Sequence, residues 1–216
     1  NDLIQNNLQL DIFSGRDELG KTAIALAFAR NLQGGRDGFD SDLTILEREP
    51  DKKTISIAQA REFIQKLHLS SFLNSYKIGI VKEAELLGEE AKSALLKTLE
   101  EPPGYALIIL ISDDDNLLET IVSRCQMVRF FPLAEKDIAD YLLKQGFDEE
   151  KASWAAQLGQ GSVSRALRFA QEEGLEQIWD TLIAVIMDLA QGRRVAIFEL
   201  SEKTQRAPDL SIKLME

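Results

Sequence analysis

The 216-residue chain is 44% hydrophobic and 28% charged, with 25 Lys and Arg against 36 Asp and Glu and a formal net charge of −11. That balance excludes a general electrostatic grip of its own on nucleic acid, which needs clustered Lys and Arg. No apolar run approaches the roughly 18 residues of a membrane-spanning helix, and a single cysteine, Cys125, excludes an internal disulfide and a multi-cysteine zinc module.

The size suggests one large domain with a smaller appendage. No charged-then-apolar signal segment opens the chain, so it reads as cytoplasmic. It begins on Asn1 rather than Met and ends within a helical pattern, which reads as an excised fragment. The lone His68 closes an amphipathic stretch and reads as a surface residue rather than a ligand.

Residues 8–13 are an apolar run that predicts a short strand. The strand feeds Gly15-Arg16-Asp17-Glu18-Leu19-Gly20-Lys21-Thr22, a G-x-x-x-x-G-K-[ST] stretch, and residues 23–32 predict a helix lined with small residues. Glycines let such a loop curl so that successive N–H groups point at phosphate oxygens, and the helix that follows adds its positive dipole end. Nucleotide binding is therefore expected of Gly15, Asp17, Glu18, Leu19, Gly20, Lys21 and Thr22. Lys21 would reach the terminal phosphates, and Thr22 is the candidate Mg²⁺ ligand. A plain glycine turn is the competing reading, and the eight-residue spacing at a strand-to-helix junction weighs against it.

Gly34, Gly35 and Gly38 break the helical pattern, and residues 43–46 predict a second strand. After a charged turn through Pro50, Lys52 and Lys53, Ile57, Ala60, Phe63, Ile64 and Leu67 repeat at helical spacing over residues 57–68. Residues 77–81 are a short apolar run of the kind found in buried parallel strands. Ala91, Ala94, Leu95, Thr98 and Leu99 mark one face of a helix that has Glu89 and Glu90 in its first turn and is stopped by Pro102-Pro103. Residues 106–111 predict a further buried strand. After Asp113-Asp114-Asp115, a short helix over 117–122 leads to Ser123-Arg124-Cys125 and a last strand over 126–130. Strands alternating with helices predict an α/β fold, a parallel sheet covered on both faces.

Pro132 marks a boundary, beyond which only helical patterns occur. Gly146 and the 159–161 segment divide residues 133–172 into three helices, and residues 178–189 predict another long one. The expected organisation is a core domain over 1–132, a three-helix lid over 133–172 and the start of a helical collar, cut short, over 173–216.

In phosphate-loop ATPases the strand ending beside the phosphates usually finishes with an Asp that holds the Mg²⁺ shell, often followed by a Glu that polarises the attacking water. Here Val81 is followed by Lys82 and Glu83. An ammonium at the Asp position opposes the metal, so hydrolysis should be severely weakened even where nucleotide binds, and Glu83 is left as the residual catalytic position. Taken alone, residues 82–85 are equally a solvated helix start.

The string Lys92-Ser93-Ala94-Leu95-Leu96-Lys97-Thr98-Leu99-Glu100-Glu101-Pro102-Pro103, joined to Thr120-Ile121-Val122-Ser123-Arg124-Cys125-Gln126, resembles the clamp-loader branch of the AAA+ ATPases. With the phosphate loop, the similarity covers roughly residues 8–172. Within that branch the chain most resembles the bacterial DNA polymerase III delta-prime subunits, generally non-hydrolysing stators beside the ATP-hydrolysing gamma/tau subunits. The resemblance implies ATP or ADP as ligand and gamma/tau and delta subunits as partners, with the sliding clamp as a further one. It implies contact with DNA only as part of the complex and no membrane. It also implies that Arg124 is an arginine finger offered in trans, a guanidinium that neutralises charge developing on a neighbour's γ-phosphate.

Departures from the family pattern shape these expectations. The four-cysteine module common in the family is missing from residues 32–42, so no zinc is implied. Ser112 stands where a sensor-one polar residue would follow the 106–111 strand. The family's Gly-Ser-x-Arg near the lid reads Gly161-Ser162-Val163-Ser164-Arg165, which places Arg165 one residue late, turned by about 100° on a helix, and weakens lid closure over nucleotide. The expected function is a stator of the replicative clamp loader. An active gamma/tau-type motor is the first alternative, which an Asp at position 82 would have favoured. A stand-alone P-loop kinase is the second, and it lacks a recognisable acceptor lid.

Overall fold

The computed structural model describes residues 10–33, 42–69, 77–103, 105–113, 119–123, 125–172 and Met187. Five strands, β1 (Leu10–Ser14), β2 (Leu43–Leu46), β3 (Lys77–Val81), β4 (Ala106–Ser112) and β5 (Gln126–Arg129), form one sheet in the order β2-β3-β4-β1-β5. Every pairing is parallel. β1, β3 and β4 are buried along their whole lengths. That is why they read as near-continuous apolar runs: parallel strands covered on both faces have no solvent side to fill with polar residues.

The two faces separate cleanly by alternation along the strands. Ile109 and Ile111 pack with Phe13, Ile78 and Ile80 against Ala25 and Ala29 of helix α1 (Lys21–Leu32). Ile108 and Leu110 pack with Ile12 and Val81 on the other face, against α2 (Ile57–His68) and α3 (Glu89–Glu100). α2 spans the range its periodicity predicts. Its start is fixed by a capping box in which Ser56 and Gln59 satisfy each other's backbone N–H groups. α1 begins two residues earlier than its apolar pattern suggests, because Lys21 and Thr22 of the loop already form its first turn. β1 runs on to Ser14, which pairs with Ser112 at the end of β4: ladder hydrogen bonds do not require apolar side chains. His68 is exposed at the end of α2, as its position suggests.

A short helix α4 (Glu119–Val122) precedes β5. Beyond β5 come α5 (Glu135–Lys144), α6 (Glu149–Leu158) and α7 (Val163–Gln171), which close around their own core of Ile138, Leu142 and five alanines. The small side chains let these three helices approach closely. Gly161, in the turn before α7, has φ +87, and a Cβ there would lie 2.3 Å from Cβ of Pro132. Leu133 N–H donates to its carbonyl at 3.0 Å. The entry to α7 is thus pressed onto the segment leaving the sheet, and only a residue without a side chain fits. The helix expected over 178–189 lies outside the described residues apart from Met187, as does Arg124.

Candidate functional site

β1 is flanked by β4 and β5, while the chain leaving it crosses by α1 to the far edge strand β2. The strand order reverses at this point, and in open α/β sheets ligands bind in the crevice beyond the strand carboxyl ends there. The phosphate loop occupies that place. Gly15 has φ +147, and a Cβ on it would lie 2.4 Å from the Phe130 carbonyl oxygen, so the loop lies directly on the exit of β5.

A cavity of about 400 Å³ opens beside the loop. Among the described residues it is lined by Asp17, Glu18, Gly20, Lys21, Thr22 and Ala23, by Lys82 and Glu83 after β3, by Ile111 and Asp113 of the β4 end, and by Ser164 of α7. Seven of the residues expected at a nucleotide site therefore meet around one space. Gly15 shapes the loop without lining the cavity, and Leu19 does not line it. Ser112 is buried in register with Ser14, and the next residue, Asp113, is the one that reaches the cavity.

Lys21 is 4% exposed. Its Nζ donates to the carbonyls of Gly15 at 2.6 Å and Arg16 at 2.5 Å and pairs with Asp113 Oδ1 at 2.9 Å. A buried ammonium needs such partners. Here the loop carbonyls fold over it and a carboxylate faces it from across the cavity.

The ends of β2 and β3 carry two further ion pairs. Leu46 lies opposite Val81, which brings the residues that follow each strand side by side. Lys82 Nζ lies 2.6 Å from Glu47 Oε2, and Arg48 Nη2 lies 3.4 Å from Glu83 Oε1. Arg48 is itself anchored by donating to the Lys52 carbonyl at 2.8 Å.

The lid reaches the loop through α7. Ser162 caps that helix, its Oγ accepting from Arg165 N–H at 3.1 Å. The Glu18 carbonyl accepts from Ser162 Oγ at 2.7 Å and Ser164 Oγ at 3.1 Å, and the Glu18 carboxylate accepts from Arg165 Nε at 2.8 Å and from Arg168 Nη2. The one-residue offset of Arg165 suggested a weakened lid closure. At that offset Arg165 meets the loop itself: Glu18, at φ +61, turns both its carbonyl and its carboxylate toward α7, and Arg165 is one of the groups that hold the lid to the loop.

The donor set fits a nucleotide phosphate, with a buried ammonium and the N-terminus of a 12-residue helix at one cavity. It fits Mg²⁺ less well. Thr22 is in place, but the residue after β3 that lines the same cavity is Lys82, an ammonium paired to Glu47 that offers a metal no oxygen. Sequence reasoning missed Asp113, Glu47, Arg48, Ser162 and Arg168. Asp113 stood in an acidic run just past a strand, and Arg168 stood three residues after Arg165 on one helix face, so both left a legible signal. Glu47 and Arg48 left none beyond a mixed-charge turn.

Comparison with known proteins agrees with this architecture. Residues 3–134 match the family model described as DNA polymerase III, delta subunit. DNA polymerase III subunit delta' of Bacillus subtilis (strain 168) is 26% identical over 224 residues, covering 93% of this chain and 67% of that protein. Its counterpart in Escherichia coli (strain K12) is 33% identical over 144 residues, covering 66% of this chain and 43% of that protein. A crystal structure of a DNA polymerase III gamma subunit-related protein from Thermotoga maritima superposes with a TM-score of 0.60 at 25% identity, covering 85% of this chain and 60% of that one. The fold is that of the phosphate-loop AAA+ core. With more than half of its length matched by the family model, the chain belongs to the DNA polymerase III delta subunit family.

Proposed function

We propose that this chain is a delta-prime, or stator, subunit of the replicative DNA polymerase III clamp loader, a largely static wall of a ring that loads the sliding clamp onto primed DNA. The observation that carries the stator reading is Lys82, which lines the phosphate-loop cavity where a metal-holding carboxylate is needed. With Glu83 paired to Arg48, the group left to polarise water is also engaged. The chain binds ATP or ADP weakly through the loop and Lys21 and hydrolyses little by itself. Thr22 is the available Mg²⁺ ligand, and no zinc takes part.

In this reading residues 1–132 form the AAA+ core, 133–172 the lid and 173–216 the beginning of a collar. Partners are the gamma/tau and delta subunits and the sliding clamp. DNA is met only within the complex, in the cytoplasm. Arg124 serves in trans as an arginine finger for an ATP-binding neighbour. Arg124→Ala then leaves nucleotide binding by this chain unchanged while lowering hydrolysis by the reconstituted complex, since such fingers contribute on the order of 10³-fold or more at their one site.

The deciding experiment measures ADP and ATP binding by calorimetry and phosphate release in parallel, on the isolated chain and with gamma/tau and delta added. Weak binding without turnover, together with co-purification of the complex, supports the stator. Robust Mg²⁺-dependent hydrolysis by the isolated chain moves the reading to a gamma/tau-type motor, which the intact loop and the presence of Glu83 at the cavity would then explain.

A further inference from the structure

Glu18 belongs to the phosphate loop by sequence and to the lid by its contacts. Its backbone is left-handed, at φ +61, a conformation unfavourable for a residue with a Cβ. A strained residue of this kind persists only where the surroundings hold it. Here the N–H of Glu18 donates to Asp17 Oδ1 at 2.6 Å within the loop, and the other holding groups come from α7 and its cap, about 150 residues away in sequence: the hydroxyls of Ser162 and Ser164 on its carbonyl, and the guanidiniums of Arg165 and Arg168 on its carboxylate. Arg165 and Arg168 stand three apart and so present one helix face. Glu18 and Arg165 are both largely shielded, 23% and 29% exposed, which screens their attraction less than that of a surface pair.

Glu18 and Ser164 also line the cavity beside Lys21. The two lid guanidiniums do not line that space themselves, but their partner Glu18 does, and its carboxylate already engages them. Two cations share one carboxylate, so the cluster retains net positive charge that a stronger anion can use. We propose that Glu18 is a built-in anion that latches the lid onto the phosphate loop without nucleotide, and that an incoming phosphate must displace it from Arg165 and Arg168. The displacement half rests on the nucleotide-site reading above. The latch itself does not.

The latch is tested without nucleotide. Spin labels at the exposed positions Gln65→Cys in α2 and Lys144→Cys in α5, in a Cys125→Ser background, report the core-to-lid distance by pulsed electron resonance. With Glu18 present a single narrow distribution is expected. Glu18→Lys should broaden or lengthen it, and adding Arg165→Glu with Arg168→Glu should narrow it again by restoring opposite charges. An unchanged narrow distribution in Glu18→Lys overturns the latch. Should Glu18→Lys fail to fold, Glu18→Gln, which keeps the serine contacts, should give a smaller broadening, and no broadening again overturns it. Titration with N-methylanthraniloyl-ADP then addresses displacement: Glu18→Gln should bind it roughly two- to fivefold more tightly, the span set by a partly exposed ion pair. Equal affinities overturn displacement. Binding to neither protein refutes the nucleotide site itself, while the distance measurement still decides the latch.

Discussion

Lys82 and Glu47 are joined at 2.6 Å across the ends of two adjacent parallel strands, so the ammonium that faces the phosphate-loop cavity is neutralised by the chain itself. Lys82→Asp converts this pair into two neighbouring carboxylates. Without a divalent cation that repulsion should lower stability by about 1 kcal/mol or less, the scale of a partly exposed pair. With Mg²⁺ present, nucleotide affinity should become metal-dependent, rising on the order of tenfold over the same titration in EDTA. Calorimetry in the two buffers gives the comparison. Identical curves would mean that position 82 does not face the metal.

Asp11 is 1% exposed in the middle of the sheet, and among the described residues neither of its carboxylate oxygens has a hydrogen-bond partner. Burial pushes its pKa up from the ordinary 3.8 to about 6. The folded protein thus holds this proton more tightly than the unfolded chain does. Stability is accordingly greatest when Asp11 is protonated, falls as pH rises between 3.8 and about 6, and carries the full penalty above that interval. The penalty is at most about 3 kcal/mol. Asp11→Asn should stabilise the protein at pH 7 by about 1 to 3 kcal/mol and flatten that part of the pH profile. Urea unfolding at pH 4.5, 6 and 7.5 would reveal it, and parallel profiles for the two proteins would refute the assignment.

Lys21 and Asp113 are two ends of one ion pair, yet their substitutions should act on nucleotide binding in opposite directions. Lys21→Ala removes the buried cation and should weaken ADP binding by on the order of 100-fold. Asp113→Asn leaves Lys21 its two loop carbonyls while removing a competing anion, so binding should tighten several-fold. Fluorescence titration of both variants checks the sign. A loss of affinity in Asp113→Asn would instead make Asp113 part of the ligand's own shell.

Gly161→Ala should destabilise the protein by about 2 kcal/mol or more, since the position combines φ +87 with a Cβ placed 2.3 Å from Pro132. The damage should concentrate at the junction of lid and sheet. Hydrogen exchange should therefore rise at Leu133, whose N–H donates to the Gly161 carbonyl, before it rises in β3 or β4. Uniform loosening would show that the contact is not local.

Residues that act through their own chain neighbours were legible from the sequence. The phosphate loop announces itself by spacing, β3 and β4 by unbroken apolar runs, α2 by its periodicity, and the anomaly at Lys82 by comparison of one position with the chemistry required there. Each depends on interactions within about a dozen residues, so order along the chain is enough. What tertiary structure alone decided is which charges meet. Glu47 and Arg48 neutralise Lys82 and Glu83 because β2 lies beside β3, and Asp113 reaches Lys21 because β4 lies beside β1. Strand order is not written in any one strand. The engagement of Glu18 by α7 depends further on the close packing of Gly161 against Pro132, which aims the lid at the loop. The burial of Asp11 depends on the same order: β1 becomes an interior strand only because β4 and β5 pair with it on either side. A charge is recorded in the sequence, but its partner is set by the three-dimensional neighbourhood, and at this site the partners decide what the charges can do.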